Sequence, residues 1–172
     1  MKHLLLMAAT LSLVLAMKIP DQKEIIIAQF QRAQGEWEGF LESTEFKDNK
    51  TKYATPAKCT TSFDGKVWTY DVVYDAGNGE FFSGMGSCEV NQDGSKIDNN
   101  GVDWDVRDVA VRGDSAIITM ETLGKDNRKK ALLRQTLTVT NTTFILTEEV
   151  KYLDSQEFVL RNKHLFRKKK GS

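Results

Sequence analysis

Cysteine and proline are scarce in this sequence, and neither acidic nor basic residues are in excess. The 172 residues include two Cys and two Pro, and 24 Lys and Arg balance 24 Asp and Glu. So few cysteines exclude a disulfide-dense scaffold, and the balanced charge excludes a large basic surface for nucleic acid. With 40% hydrophobic residues, the composition is that of a single globular domain with its own core.

One long apolar run is present, and it lies at the N-terminus. Residues 4–16 are apolar apart from a Thr and a Ser, and Lys2 precedes them. The run is shorter than the roughly 20 residues that a membrane-spanning helix needs, and it fits the apolar region of a secretory signal peptide. We therefore predict a signal peptide over 1–16 and a secreted or periplasmic protein without a stable membrane anchor. An uncleaved N-terminal anchor is the alternative.

The remaining chain predicts one helix followed by many strands. Within the N-terminal segment 17–34, Pro20-Asp21 starts a helix over 21–34 that ends before Gly35. Beyond it, apolar residues alternate with polar ones, and turn-forming clusters such as Asp64-Gly65 recur. The predicted strands are 37–46, 52–63, 66–75, 80–90, 102–111, 115–123, 130–140, 143–152 and 156–168, with a short extra strand near 95–98.

Consecutive strands joined by short turns predict an all-β fold. No connection is long enough for a parallel crossover, so the strands form an antiparallel meander. Closure into an up-and-down β-barrel of about 8–10 strands would remove its exposed edges. We predict this barrel over 35–168, followed by a basic tail at 169–172. A two-sheet sandwich is the alternative.

The start of the first strand carries a short motif. Gly35-Glu36-Trp37 follows the helix and resembles the Gly-x-Trp signature of lipocalins and the wider calycin superfamily. The resemblance implies that Trp37 plugs one end of the barrel, and that Arg161 or Arg167 of the last strand packs over it. The chain is similar, more loosely, to nitrobindin-like barrels, in which a histidine near the C-terminus binds haem; here that residue would be His164.

Strand alternation predicts which side chains face the interior. Gln135, Glu148 and Asn162 fall beside one another on the last three strands, with His164 one step along. The same alternation places Asp108 inside the barrel. The predicted apolar walls are Trp68, Tyr70, Trp104 and Phe158. This composition is typical of a pocket for a small hydrophobic or amphipathic ligand, bound without chemistry and without a cofactor.

Several alternatives remain open at this point. His164 is a candidate haem ligand, and a Glu148–His164 pair is a candidate acid–base couple for an enzyme. A barrel filled by its own side chains would bind nothing and would serve as a structural or interaction module. Cys59 and Cys88 fall on strands that are second neighbours, a spacing that disfavours a disulfide. Two cysteines and one distant histidine predict no metal site.

Overall fold

The helix forms where the sequence predicts it. A computed structural model describes residues 21–113 and 115–169, so the predicted signal peptide and most of the basic tail lie outside the described residues. Helix α1 spans Gln22–Ala33, and the Asp21 side chain caps it by accepting a hydrogen bond from the Glu24 backbone N–H at 2.7 Å. Within the described ranges, no helix combines the length and apolar character needed to cross a membrane.

Ten strands follow the helix, and they agree with the predicted strands to within a few residues. Most differences are at the ends, where the turns begin. The strands are β1 (Gly35–Thr44), β2 (Lys52–Phe63), β3 (Val67–Asp75), β4 (Phe81–Val90), β5 (Lys96–Asn99), β6 (Val102–Arg112), β7 (Ser115–Asp126), β8 (Lys129–Val139), β9 (Thr143–Tyr152) and β10 (Val159–Lys168).

The strands close into a barrel, which confirms the predicted all-β fold. Each strand pairs with its neighbours in sequence, and β1 also pairs with β10 to complete the ring. Every pairing is antiparallel. Closure gives the first and last strands the hydrogen-bonding partners that an open sheet would leave exposed.

Helix α1 and Trp37 close one end of the barrel. Phe30 of the helix is fully buried and stacks on Trp68, with the ring centroids 5.2 Å apart. Trp37 is 1% exposed, and its indole N–H donates to the carbonyl of Ala33 at 2.8 Å. The motif tryptophan therefore joins the helix to the barrel and forms part of its floor.

The cation over Trp37 is a lysine, which corrects the prediction of Arg161 or Arg167. Lys168 Nζ lies 5.2 Å from the centre of the Trp37 ring and donates to the carbonyl of Gln34. Lys168 is the cross-strand partner of Trp37, so both side chains point the same way. Arg167 points outward and is exposed, whereas Arg161 binds residues at the other end of the barrel.

A β-bulge in β10 changes the inward face of this strand. Leu160 pairs with Glu149, yet Asn162 pairs with Glu148, so Arg161 is an extra residue between them. Before the bulge the alternation is reversed, and Phe158 therefore lies outside the barrel, where the Arg134 guanidinium covers its ring at 3.6 Å. The prediction that Phe158 forms an inner wall is wrong for this reason.

A second bulge, in β6, turns Asp108 outward. Val106 pairs with Met120 and Asp108 pairs with Thr119, which leaves Arg107 as the extra residue. Val109 takes the inward position and packs on the core, whereas Asp108 is exposed. The prediction that the Asp108 carboxylate points inward is therefore wrong. The cause is a β-bulge, as it is for Phe158.

Candidate functional site

The barrel encloses a cavity of about 270 Å³ above the floor formed by α1. Most of the wall is apolar or aromatic, and a few polar groups lie among these side chains. The lining residues are Phe30, Cys59, Trp68, Tyr70, Val72, Tyr74, Gly84, Met85, Cys88, Ile97, Asn99, Ile118, Met120, Gln135, Leu137, Phe144, Leu146, Glu148, His164 and Phe166. The interior is thus not filled by its own side chains.

Glu148 is the acidic group of this cavity, and amide side chains flank it. Gln135 on β8 and Asn162 on β10 are its cross-strand partners on either side. Burial raises the pKa of Glu148, and its interactions with Asn162 and Gln135 offset part of that rise. The structure thus brings together three of the polar residues that strand alternation selected.

The hydrogen bonds around Glu148 have a consistent direction. Asn99 Nδ2 donates to Gln135 Oε1 at 3.3 Å, and Ser43 Oγ donates to Asn162 Oδ1 at 3.1 Å. Because both amide oxygens already accept a bond, the NH₂ groups of Gln135 and Asn162 are the atoms that can donate to the carboxylate. The surrounding side chains therefore present donors to Glu148.

His164 faces the same cavity but has a different partner. Its Nε2 lies 2.9 Å from the hydroxyl oxygen of Tyr74, and its ring stacks on Phe166 with the centroids 5.8 Å apart. Burial lowers the pKa of His164 to about 4, so the imidazole is neutral at physiological pH. The hydrogen bonds of Glu148 and His164 go to separate groups, and the two side chains do not form a coupled pair through them.

Cys59 and Cys88 both line the cavity as free thiols. Burial raises the pKa of each thiol to about 12. A protonated thiol is a poor nucleophile and a poor metal ligand, so these residues act as small apolar wall groups. In the described part of the chain, no group of three or more His, Cys, Asp or Glu side chains is arranged to hold a metal ion.

The predicted aromatic walls are only partly in place. Trp68 and Tyr70 line the cavity, whereas Trp104 is buried in the hydrophobic core and does not reach the lining. Trp68 Nε1 and Asn99 Oδ1 are buried, and neither has a hydrogen-bond partner among the residues that the structure describes. The wall of the cavity therefore contains a buried N–H donor and a buried oxygen acceptor that are available for hydrogen bonds.

The wall is incomplete along β4. Strand β5 has four residues and pairs only with the last part of β4, so Phe81–Gly86 pair with β3 alone among the described residues. Gly84 points inward here, and a Cβ added to it would meet open space. At Gly86 a Cβ would collide with the Tyr70 hydroxyl. Gly84 thus leaves this side of the cavity open, whereas Gly86 makes room for the Tyr70 hydroxyl.

The surroundings of His164 do not fit haem as they stand. The neutral imidazole is the form that binds iron, but its Nε2 is bound to the Tyr74 hydroxyl. The Tyr74 ring in turn stacks on Phe82 at 4.8 Å, which holds the hydroxyl in position. Iron ligation through Nε2 would require this hydrogen bond to break.

Several site residues were not selected from the sequence. Tyr74 falls within the predicted strand 66–75 without any sign of a special role, and Asn99 lies between the predicted strands 95–98 and 102–111, where Asn100-Gly101 favours a turn. Ser43 gave no signal, since serine is common in strands and turns alike. The alternation of β5 was the one available sign that Asn99 faces inward.

Comparisons with known proteins support the fold. No protein-family model matches the sequence, and no curated protein matches it. Among solved structures, the chain is similar to Rv2717c from M. tuberculosis, with a TM-score of 0.57 and 11% sequence identity. The match covers 80% of this chain and 93% of Rv2717c. At this identity the similarity concerns the fold alone, and it agrees with a calycin-like barrel.

Proposed function

We propose that this protein binds a small, partly apolar molecule inside its barrel, reversibly and without chemistry. The observation that carries the proposal is the cavity of about 270 Å³, whose wall is mostly apolar and contains a few polar groups. Rigid strands supply these groups, which favours recognition of a ligand in one orientation. Glu148 and Gln135, which both line the cavity, would bind the polar end of the ligand.

The size of the cavity limits the ligand. An apolar protein cavity of about 150 Å³ takes benzene, so this one takes a molecule somewhat larger, such as a bicyclic aromatic or a medium-length chain. A filled barrel that acts as a structural module would leave no such space. The unsatisfied Trp68 N–H and Asn99 oxygen also favour an occupant with polar atoms of its own.

Indole is a suitable neutral probe, and its binding is measured by saturation-transfer NMR. Gly84→Phe places a ring in the open space of the cavity, because Gly84 points inward with room beside it. Ser83→Phe is the matched control, since Ser83 immediately precedes Gly84 and pairs with Val73 on the outer face. We expect wild type and Ser83→Phe to bind indole and Gly84→Phe to lose binding by at least about tenfold.

Retained binding in Gly84→Phe would contradict an interior site, provided that its thermal transition shows a folded protein. Absence of indole binding to the wild type, together with no small molecule in native mass spectra of protein purified from its host, would contradict the proposal as a whole. Neither outcome depends on knowing the natural ligand.

Haem is the alternative ligand that the sequence resemblance implies: His164 is neutral and lines the cavity, but its Nε2 would first have to separate from the Tyr74 hydroxyl. Titration with haemin tests it, since ligation by His164 would give a Soret band that His164→Ala abolishes.

We also propose that residues 1–16 direct export to the periplasm or the exterior. N-terminal sequencing of the protein from its host tests this, with Met17 expected as the first residue.

A further inference from the structure

We propose that the ligand is an organic amine, bound as its ammonium ion with the Glu148 carboxylate as counter-ion inside the aromatic cavity. This assignment rests on the proposed function, because it names the chemical class that the same cavity selects. It follows from the charges, the hydrogen-bonding groups and the rings that the wall presents.

The cavity contains an acid without a basic partner. Among its described lining residues, Glu148 is the one carboxyl group, and neither Lys nor Arg is present. The buried arginine of the barrel, Arg161, is bound elsewhere, to Asp126 at 3.0 Å and Asn49 at 2.6 Å. A buried carboxylate is stable when a cation or several donors compensate it, and here the protein supplies amide donors only.

A cationic ligand supplies the positive charge that the wall of the cavity lacks. Gln135 and Asn162 can each donate to Glu148, which prepares the carboxylate to carry charge, yet burial still raises its pKa. An ammonium group beside the carboxylate offsets that burial, because the two charges attract strongly where water is excluded. An anionic ligand would instead meet a carboxyl group and no cation.

The other wall groups match the same ligand. Asn99 Oδ1, whose amide binds Gln135, is a buried acceptor without a partner among the described residues, and an ammonium group has N–H donors to spare. The rings of Trp68, Tyr70 and Tyr74 also line the cavity, and aromatic rings attract cations. Acceptors and aromatic faces are the features that recognise an organic amine.

A matched series of probes tests this assignment by isothermal titration calorimetry at pH 7. Tryptamine, tryptophol and indole-3-propionate share one ring system and differ in carrying an ammonium, a hydroxyl or a carboxylate group. We expect tryptamine to bind about tenfold or more tightly than tryptophol, since hydrogen bonds to charged groups are the stronger ones, and indole-3-propionate to bind weakest.

Variants then identify the counter-ion. Glu148→Gln should remove the preference for tryptamine while tryptophol binding persists. Glu149→Gln is the matched control, because Glu149 is the next residue, pairs with Leu160 and lies near Arg134 on the outer face. It should retain the preference. The comparison of the three probes on wild-type protein stands even if Glu148→Gln fails to fold.

The outcomes separate this inference from the proposed function. Equal binding of tryptamine and tryptophol, or an unchanged preference in Glu148→Gln, would overturn the amine assignment alone. Binding of indole without binding of tryptamine would do the same. Failure of indole and of all three probes, together with no small molecule in native mass spectra of protein from its host, would overturn both proposals together.

Discussion

At the scale of single residues, Glu148 and His164 are cavity groups of opposite charge type, and burial shifts the pKa of each so that its neutral form is favoured. The pKa of Glu148 is raised and that of His164 is lowered to about 4, with burial the largest cause in both. The neutral imidazole shares a hydrogen bond with the Tyr74 hydroxyl and adds no charge to the cavity. The site therefore keeps one group, Glu148, as the place where charge can develop.

The low pKa of His164 predicts a loss of stability on the acid side. An unfolded histidine binds a proton near pH 6.5, whereas the folded one resists until about pH 4, so the unfolded state is favoured as pH falls through this window. Relative to His164→Phe, the wild type should lose about 1–2 kcal/mol of unfolding free energy between pH 7 and pH 5. Urea denaturation of both proteins at each pH measures this difference.

An NMR titration of the His164 imidazole gives an independent check. Its signals should shift near pH 4, if the folded protein persists there, and should show no transition near pH 6.5. A transition near 6.5, or equal acid sensitivity of wild type and His164→Phe, would mean that the ring is hydrated and that burial does not control its protonation.

At the scale of the element, the bulge in β10 creates a structural site of its own. The extra residue Arg161 is 3% exposed, and its guanidinium binds Asp126 at 3.0 Å, the Tyr152 hydroxyl at 2.9 Å and Asn49 at 2.6 Å. These partners come from the β1–β2 turn, the end of β7 and the end of β9. The bulge thus joins three hairpin ends at the barrel rim opposite α1.

Removing this arginine should destabilise the barrel strongly. Arg161→Met would leave Asp126, whose side chain is 10% exposed, without its cation, and breaking a buried ion pair from one side costs about 3–5 kcal/mol. Arg167→Met on the same strand is the control, since Arg167 is exposed and should change stability by less than about 0.5 kcal/mol. Urea denaturation measures both. Similar small effects in the two variants would show that the Arg161 cluster contributes little.

The bulges also explain where sequence reasoning succeeded and where it failed. The residues that form hairpin turns and those that begin a helix are recognisable in the sequence. The helix, the strands and their pairing, including the neighbours of Glu148, could therefore be predicted. A bulge adds one residue to a strand and exchanges the inward and outward positions beyond it, but the alternation of apolar and polar residues in the sequence does not reveal it. Simple alternation therefore assigns Phe158 and Asp108 to the wrong face. The inward position of Asn99 was missed because asparagine and glycine dominate its turn.

At the scale of the whole molecule, the two ends of the barrel differ. Helix α1, Trp37 and Lys168 close one end. At the other end, Arg161 and its partners Asp126, Tyr152 and Asn49 hold three hairpin ends together. Between these, the short β5 leaves the first half of β4 without a second neighbour in the described structure. The opening therefore lies in the side of the barrel, beside Gly84, and this is where we expect a ligand to enter.

Hydrogen–deuterium exchange tests this route. In an antiparallel strand about half of the amides point to each neighbour, so those of Phe81–Gly86 that face away from β3 have no strand partner there. We expect this segment to exchange faster than residues 68–74 of β3, which pair with both β2 and β4. Bound indole should slow its exchange, because an occupied cavity packs against β4. Equal exchange in the two strands, or protection confined to the β1–β2 turn, would place the entrance elsewhere.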